Sequence, residues 1–268
     1  MASAPLNPET PVGILCGGRG LRLGAHDAPK PLVPIGGRPV LGHVIDIYAA
    51  QGARRFVLLG GHRVDEIRAW VAGEVWPDGV TVDVLDTGED TPTGGRVLAA
   101  AESLTVGPGG RFHLTYADGV ADLDLGALVA RHEQARAEMT VTIVRPELNF
   151  GVADVDAGGM ISGFREKPVA EFAVNGGFML CEAAMLDELG PDSVLERGPF
   201  ERLAAAGRLA GAPHAGFWAC MDTPKDLAVL EAAWAEGAPW RTPVTARASG
   251  GGLDGVSAAV SLDISPVS

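Results

Sequence analysis

Five short apolar runs of strand character alternate with amphipathic stretches of helical period through the first 145 residues. The strands read as Val12–Cys16, Arg55–Leu59, Val80–Leu85, Phe112–Tyr116 and Met139–Val144. Between them lie helices over Pro39–Gln51, Val64–Val71, Gly95–Leu104 and Leu125–Ala137. That alternation leaves few folds open. It predicts a mainly parallel α/β sheet with right-handed crossovers, Rossmann-like and three-layered. In such sheets ligands bind beyond the carboxyl ends of the strands. The rule makes neighbours of the Gly17–Gly20 loop, which follows the first strand, and Asp118, which follows the fourth.

Past Arg145 the pattern changes. Gly151–Val155 and Met160–Arg165 alternate around the turn Asp156-Ala157-Gly158-Gly159, as a hairpin does. Phe178–Cys181 and Gly216–Met221 read as strands, and Glu201–Ala206 and Thr223–Glu236 as helices. Thr223, Pro224 and Asp226 give the last helix a cap, a first-turn proline and a capping-box acid. This half is expected to form a smaller mixed lobe on the sheet. From Thr245 the chain is rich in Gly, Ser and Ala, and a mobile tail is expected over 245–268.

The formal net charge is −13. An acidic chain without basic tracts excludes nucleic acid and an anionic membrane surface as main partners. No window has the ~18 apolar residues of a membrane-spanning helix, and Met1–Pro11 carries no signal-peptide pattern. Cys16, Cys181 and Cys220 lie far apart in apolar stretches, as core thiols in a reduced, cytoplasmic setting. The five tryptophans show no interleaving with Arg and read as core. Of 21 basic residues only Lys30, Lys167 and Lys225 are lysine. Two of them precede proline, in Pro29-Lys30-Pro31 and Glu166-Lys167-Pro168.

Three constellations carry chemistry. Leu15-Cys16-Gly17-Gly18-Arg19-Gly20-Leu21-Arg22-Leu23 leaves a buried strand through glycines that let backbone N–H groups face a polyphosphate. It is neither a GxGxxG fingerprint nor a Walker A loop. Arg22 and Lys30 follow as cations, Lys30 from a stiff, extended segment between prolines. Next, Asp118 and Asp222 end strands and suit a Mg²⁺ ion held against phosphate, although an Asx turn and a helix cap would also use them. Last, Glu166-Lys167 and Asn175-Gly176 offer a cation and polar groups for a second, sugar-bearing phosphate. Thr93-Gly94-Gly95-Arg96 opens a helix where N–H groups and a guanidinium can hold an anion.

In order, these segments resemble the sugar-1-phosphate nucleotidyltransferases. Leu85–Gly88, Thr93–Arg96, Thr115–Asp124, Val174–Phe178 and Gly216–Thr223 are most similar to the glucose-1-phosphate cytidylyltransferase branch. The resemblance covers about Val12 to Trp240. It implies one domain over 1–244, with a nucleotide-binding half at about 12–145 and a sugar-binding half at 146–244. It also implies transfer of a nucleotidyl group from a nucleoside triphosphate, CTP, to a sugar 1-phosphate, α-D-glucose 1-phosphate, with Mg²⁺ as cofactor and a homo-oligomeric assembly. By analogy Arg22, Lys30, Asp118 and Lys167 would be catalytic, and Asp118 and Asp222 would hold the metal. Leu15, Gly17, Gly18, Gly20, Arg22, Lys30, Gly94, Gly95 and Arg96 would bind the nucleotide. Gly151, Glu166, Lys167, Asn175 and Gly176 would bind the sugar phosphate. Leu21 stands where the family has Thr. The alternatives are the same chemistry with UTP, dTTP or GTP and another sugar or cyclitol phosphate, or a silent nucleotide-sensing subunit.

Overall fold

The computed structural model describes residues 3–24 and 27–241, so the expected tail lies outside the described residues. The chain opens with β1 (Val12–Leu15), then a short ribbon of β2 (Pro34–Ile35) and β3 (Arg38–Pro39) leading into α1 (Val40–Ala49). There follow β4 (Arg55–Gly60), α2 (Val64–Gly73), β5 (Thr81–Asp86), α3 (Thr93–Ala99), α4 (Ala101–Leu104) and β6 (Phe112–Tyr116). Next come β7 (Gly119–Ala121), α5 (Leu125–Ala135) and β8 (Met139–Val144). The rest supplies β9 (Val152–Val155), β10 (Ile161–Arg165), β11 (Val174–Cys181), α6 (Pro199–Ala205), β12 (Leu209–Pro213), β13 (Trp218–Cys220) and α7 (Pro224–Ala235).

Seven strands form the central sheet in the order β12-β8-β11-β6-β1-β4-β5. β1 runs parallel to β4 and β6, β4 to β5, and β12 to β8. β11 is antiparallel to both of its neighbours. The sheet is therefore mainly parallel, as the alternation implied. Its inner strands β1, β4, β6 and β8 are buried on both faces, as in a sheet with helices on either side. Along β4, Phe56 and Leu58 join the cluster under α1, whereas Val57 and Leu59 join the one with Leu104 and Leu114. Alternate side chains of a strand point to opposite faces, so one strand feeds two cores. Phe56 is fully buried, and truncation to Ala would cost about 3–5 kcal/mol.

The second half both completes this sheet, through β11 and β12, and carries the exposed β9–β10 hairpin. β12 was not expected from the sequence. Leu-Ala-Gly-Ala-Pro is poor strand material, but it forms an edge, where proline is tolerated. β11 begins four residues earlier than its apolar run, and its register shifts between Asn175 and Met179. Bulges of this kind re-aim side chains beside active sites. Three local expectations are corrected. Pro39 does not open α1 but stands before it, extended and paired with Pro34. The helix expected over Gly95–Leu104 starts at Thr93 and breaks at Ala100. α5 stops at Ala135, where Arg136 turns left-handed at φ 52°.

Candidate active site

The carboxyl ends of β1 and β6 lie side by side, with Leu15 opposite Tyr116. Gly20, at φ 60°, reverses the loop after β1 and opens a 3₁₀ turn over Leu21–Leu23. A Cβ on Gly20 would stand 2.7 Å from Cβ of Lys30. Glycine there satisfies both the left-handed backbone and the passage of the lysine stem. Lys30 is not extended, as expected, but starts a 3₁₀ turn over Lys30–Leu32. Its ammonium lies 2.5 Å from Oδ2 of Asp118 and 2.7 Å from Oδ1 of Asp222. Arg22 adds a contact of 3.0 Å to the same Asp222 oxygen. Burial works against the charge on Lys30, but the Asp118 and Asp222 carboxylates outweigh it and raise the pKa. The lysine is therefore a fixed cation at neutral pH.

The two carboxylates meet through backbone pairing. β7 and β13 are antiparallel with Cys220 opposite Gly119, and the Met221 N–H donates to the Asp118 carbonyl at 2.9 Å. The α7 capping box finishes the job, since Asp226 Oδ2 accepts from the N–H of Asp222 at 3.1 Å and of Thr223 at 2.8 Å. Asp222 therefore leaves a strand and enters a capped helix with its backbone fixed on both sides.

Two clefts open on this cluster. The first, about 620 Å³, is lined by Leu15, Gly17, Gly18, Gly20, Arg22, Lys30 and Arg96 among others. The second, about 370 Å³, is lined by Asn175, Gly176, Glu196, Trp218 and Cys220 among others. They share Arg22, Tyr116, Asp118 and Asp222. A reaction between two bound molecules would take place at that common wall.

Other sequence-selected residues are placed differently. The N–H groups of Gly94 and Gly95 donate to the Ser193 carbonyl at 2.8 and 3.1 Å, so they pack α3 onto the 190s loop. Arg96 is buried at the edge of the first cleft. Its Nη1 donates to the Gly60 carbonyl at 2.8 Å, Thr87 Oγ1 at 2.7 Å and the Gly88 carbonyl at 2.7 Å. Its Nη2 donates to the carbonyls of Gly17 and Glu89, each at 3.0 Å. The guanidinium thus ties together the loops after β1, β4 and β5. Burial lowers its pKa, against the opposing pull of Cys16, Asp86 and Asp90. Gly151, Glu166 and Lys167 line neither cleft. They belong to the hairpin, where Glu166 and Lys167 are exposed and Lys167 is left-handed at φ 44°.

The sequence alone did not single out Glu196, Tyr116 or Trp218. Glu196 accepts from the Tyr116 hydroxyl and from Thr93 Oγ1, at 2.9 Å for the latter. Burial, then the Glu196 charge, raises the Tyr116 pKa, so its phenol stays a donor. Trp218 is not core. It donates through Nε1 to the Gly176 carbonyl at 2.8 Å and walls the second cleft. Cys220 also faces that cleft, against the expectation of a core thiol. Burial, helped by Asp222 and Asp118, pushes it up to about 12, which removes it as a nucleophile.

The donor set suits a hard divalent cation that also binds phosphate. Mg²⁺ is usually held by one or two carboxylates plus substrate oxygens. Among the described residues no cluster of three or more His, Cys, Asp or Glu is gathered for a metal. A cationic ammonium already sits between Asp118 and Asp222, which marks the position as one built for positive charge.

Residues 12–201 match the model of the family described as "Nucleotidyl transferase". The chain belongs to that family. It is 35% identical over 258 residues to the glucose-1-phosphate cytidylyltransferase of Salmonella typhi, covering 85% of this chain and 98% of the relative. It is 34% identical to the probable glucose-1-phosphate cytidylyltransferase of Bacillus subtilis, covering 84% and 96%. The fold is similar to that of HddC from Yersinia pseudotuberculosis complexed with GMP-PN, with a TM-score of 0.67 at 20% identity over 84% of this chain and 99% of the other. This nucleotidyl transferase thus has the fold of its neighbours. Among the described residues no helix is long and apolar enough to cross a membrane.

Proposed function

We propose that the protein transfers a cytidylyl group from CTP to α-D-glucose 1-phosphate, releasing pyrophosphate. The observation that carries this reading is the pair of clefts joined at Arg22, Asp118 and Asp222. It stands in a chain that aligns along nearly the whole length of glucose-1-phosphate cytidylyltransferases. The first cleft would take the triphosphate and the second the sugar phosphate.

A sugar phosphate oxygen attacks the α-phosphorus in line. One P–O bond forms, and the bond to the β-phosphate oxygen breaks as pyrophosphate leaves. The attacking oxygen is already anionic, so no side chain need abstract a proton. Catalysis then rests on positioning and on charge. Lys30 would meet the charge building on the α-phosphate, and Arg22 the leaving pyrophosphate. Asp118 and Asp222 would hold Mg²⁺, which when bound neutralises phosphate charge. Asn175, Gly176 and Glu196 would orient the sugar, and Gly151, Glu166 and Lys167 would serve it from the hairpin. Cytoplasmic location and homo-oligomeric assembly remain part of the proposal.

A matrix of CTP, UTP, dTTP and GTP against several sugar 1-phosphates, scored by pyrophosphate release, tests the reading. CTP with glucose 1-phosphate should give the highest kcat/KM. Another nucleotide ranking above CTP would refute the substrate assignment. Lys30→Ala and Asp118→Ala should each lower turnover by about two orders of magnitude or more while circular dichroism stays native.

A further inference from the structure

The ammonium of Lys30 lies within 2.7 Å of an oxygen on each of the two carboxylates that suit a divalent cation. Its side chain is 13% exposed. Arg22 shares the Asp222 oxygen. The pair is therefore already largely neutralised by the chain's own cations. A metal arriving alone would gain little attraction there, and it would meet the ammonium as a like charge.

We propose that Lys30 competes with the divalent cation for Asp118 and Asp222, so that the metal binds tightly only when a triphosphate offers Lys30 another anion. The inference rests on the nucleotidyl-transfer reading of the same site. Lys30 also lines the first cleft, beside Gly17, Gly18 and Gly20. Its stem passes over the face of Gly20 that has no Cβ. A four-carbon stem with a compact head can turn from carboxylate to phosphate. An arginine would grip the carboxylates as a planar fork and give them up less readily. This is a physical reason for lysine at this position in a chain that otherwise prefers arginine. The consequence is an order of entry in which the metal arrives with the nucleotide.

The test needs no turnover. Nucleotide-free full-length protein is titrated with Mn²⁺, and free Mn²⁺ is read by electron paramagnetic resonance. Lys30→Met should bind Mn²⁺ at least tenfold more tightly than wild type, and Mn²⁺ should raise the Tm of that variant but not of wild type. Lys30→Arg keeps a cation and should bind as weakly as wild type. The double variant Lys30→Met with Asp118→Asn should lose the gain, which locates the ion at the carboxylate pair. Should Lys30→Met fail to fold, Lys30→Gln removes the same charge with a polar head. Affinity in Lys30→Met (or Lys30→Gln) equal to or below wild type overturns the inference, as does tight binding by Lys30→Arg or by the double variant. A failed substrate matrix with an intact Mn²⁺ gain would sink the activity and leave the competition standing. The reverse result would do the opposite.

Discussion

Arg96 donates to the carbonyl of Gly17 at 3.0 Å from 79 residues further along the chain. A Cβ on Gly17 would lie 2.4 Å from that guanidinium, so the glycine makes room for the arginine as well as for any phosphate. Arg96→Met would leave buried carbonyls short of donors, at a cost of roughly 1–3 kcal/mol for each that water cannot reach. The variant should melt several degrees lower. Because the loop it holds lines the first cleft, KM for CTP should rise about tenfold, a loss of about 1.4 kcal/mol in binding. KM for the sugar phosphate should stay within about twofold, a change of under ~0.5 kcal/mol. Steady-state kinetics with each substrate varied in turn decides this. An equal rise in both would mean that Arg96 supports the whole fold and not this loop in particular.

Asp226 fixes the backbone of Asp222 from the first turn of α7. Thr223 caps the same helix but makes no bond to Asp222. Removing either half of the box should cost about 1 kcal/mol of stability. Only Asp226→Ala should also slow turnover, since only it frees the residue that faces Lys30. Paired measurements of Tm and kcat on Asp226→Ala and Thr223→Ala separate the two effects. Matched losses of kcat would show that helix stability alone sets the position of Asp222.

Glu196 accepts from Tyr116 in the second cleft and from Thr93 at the start of α3. Glu196→Gln keeps the shape but weakens charge-assisted bonds, which are roughly twice as strong as neutral ones. KM for the sugar phosphate should rise several-fold with KM for CTP little changed. Isothermal titration with sugar phosphate alone gives an independent reading of the same loss. No change in either measurement would leave Glu196 as scaffold only.

The alternation of strand and helix was legible because burial on both faces writes itself as apolar runs. Asp118 and the glycine loop could be paired in advance, since both end parallel strands. That Asp222 joins them depends on the β7–β13 register, which joins two segments about a hundred residues apart and has no periodicity of its own. Arg96 looked like an anion ligand because sequence shows a cation at a helix start, not the five acceptors that surround it. Glu196 gave no signal at all. It sits in an irregular loop and matters only through tertiary contact with Tyr116. Gly94 and Gly95 read as an anion cradle, yet their N–H groups serve the Ser193 carbonyl, a partner no local pattern announces.

His113 lies in the core of β6, and its Nδ1 has no hydrogen-bond partner among the described residues. Burial first, then the nearby His132, lowers its pKa to about 3, with a smaller push from Arg111 and against an opposing hydrogen bond to the Met179 backbone. The unfolded chain takes this proton near pH 6.5, whereas the folded protein refuses it until about pH 3. Between those values the unfolded state binds more protons, so stability rises with pH. The contribution is complete above about pH 6.5 and shrinks as the solution is acidified, by up to about 1.4 kcal/mol per pH unit for each such histidine. His132 is also buried, bonded to Thr140 and Glu182, and burial lowers its pKa too, with the same sign. Calorimetry should therefore show a falling melting temperature between pH 7.5 and 5. His113→Phe fills similar space beside the Tyr48 ring, 5.6 Å away, and cannot titrate. Its melting temperature should fall less steeply over the same interval. An unchanged slope in that variant would assign the acid sensitivity to other groups.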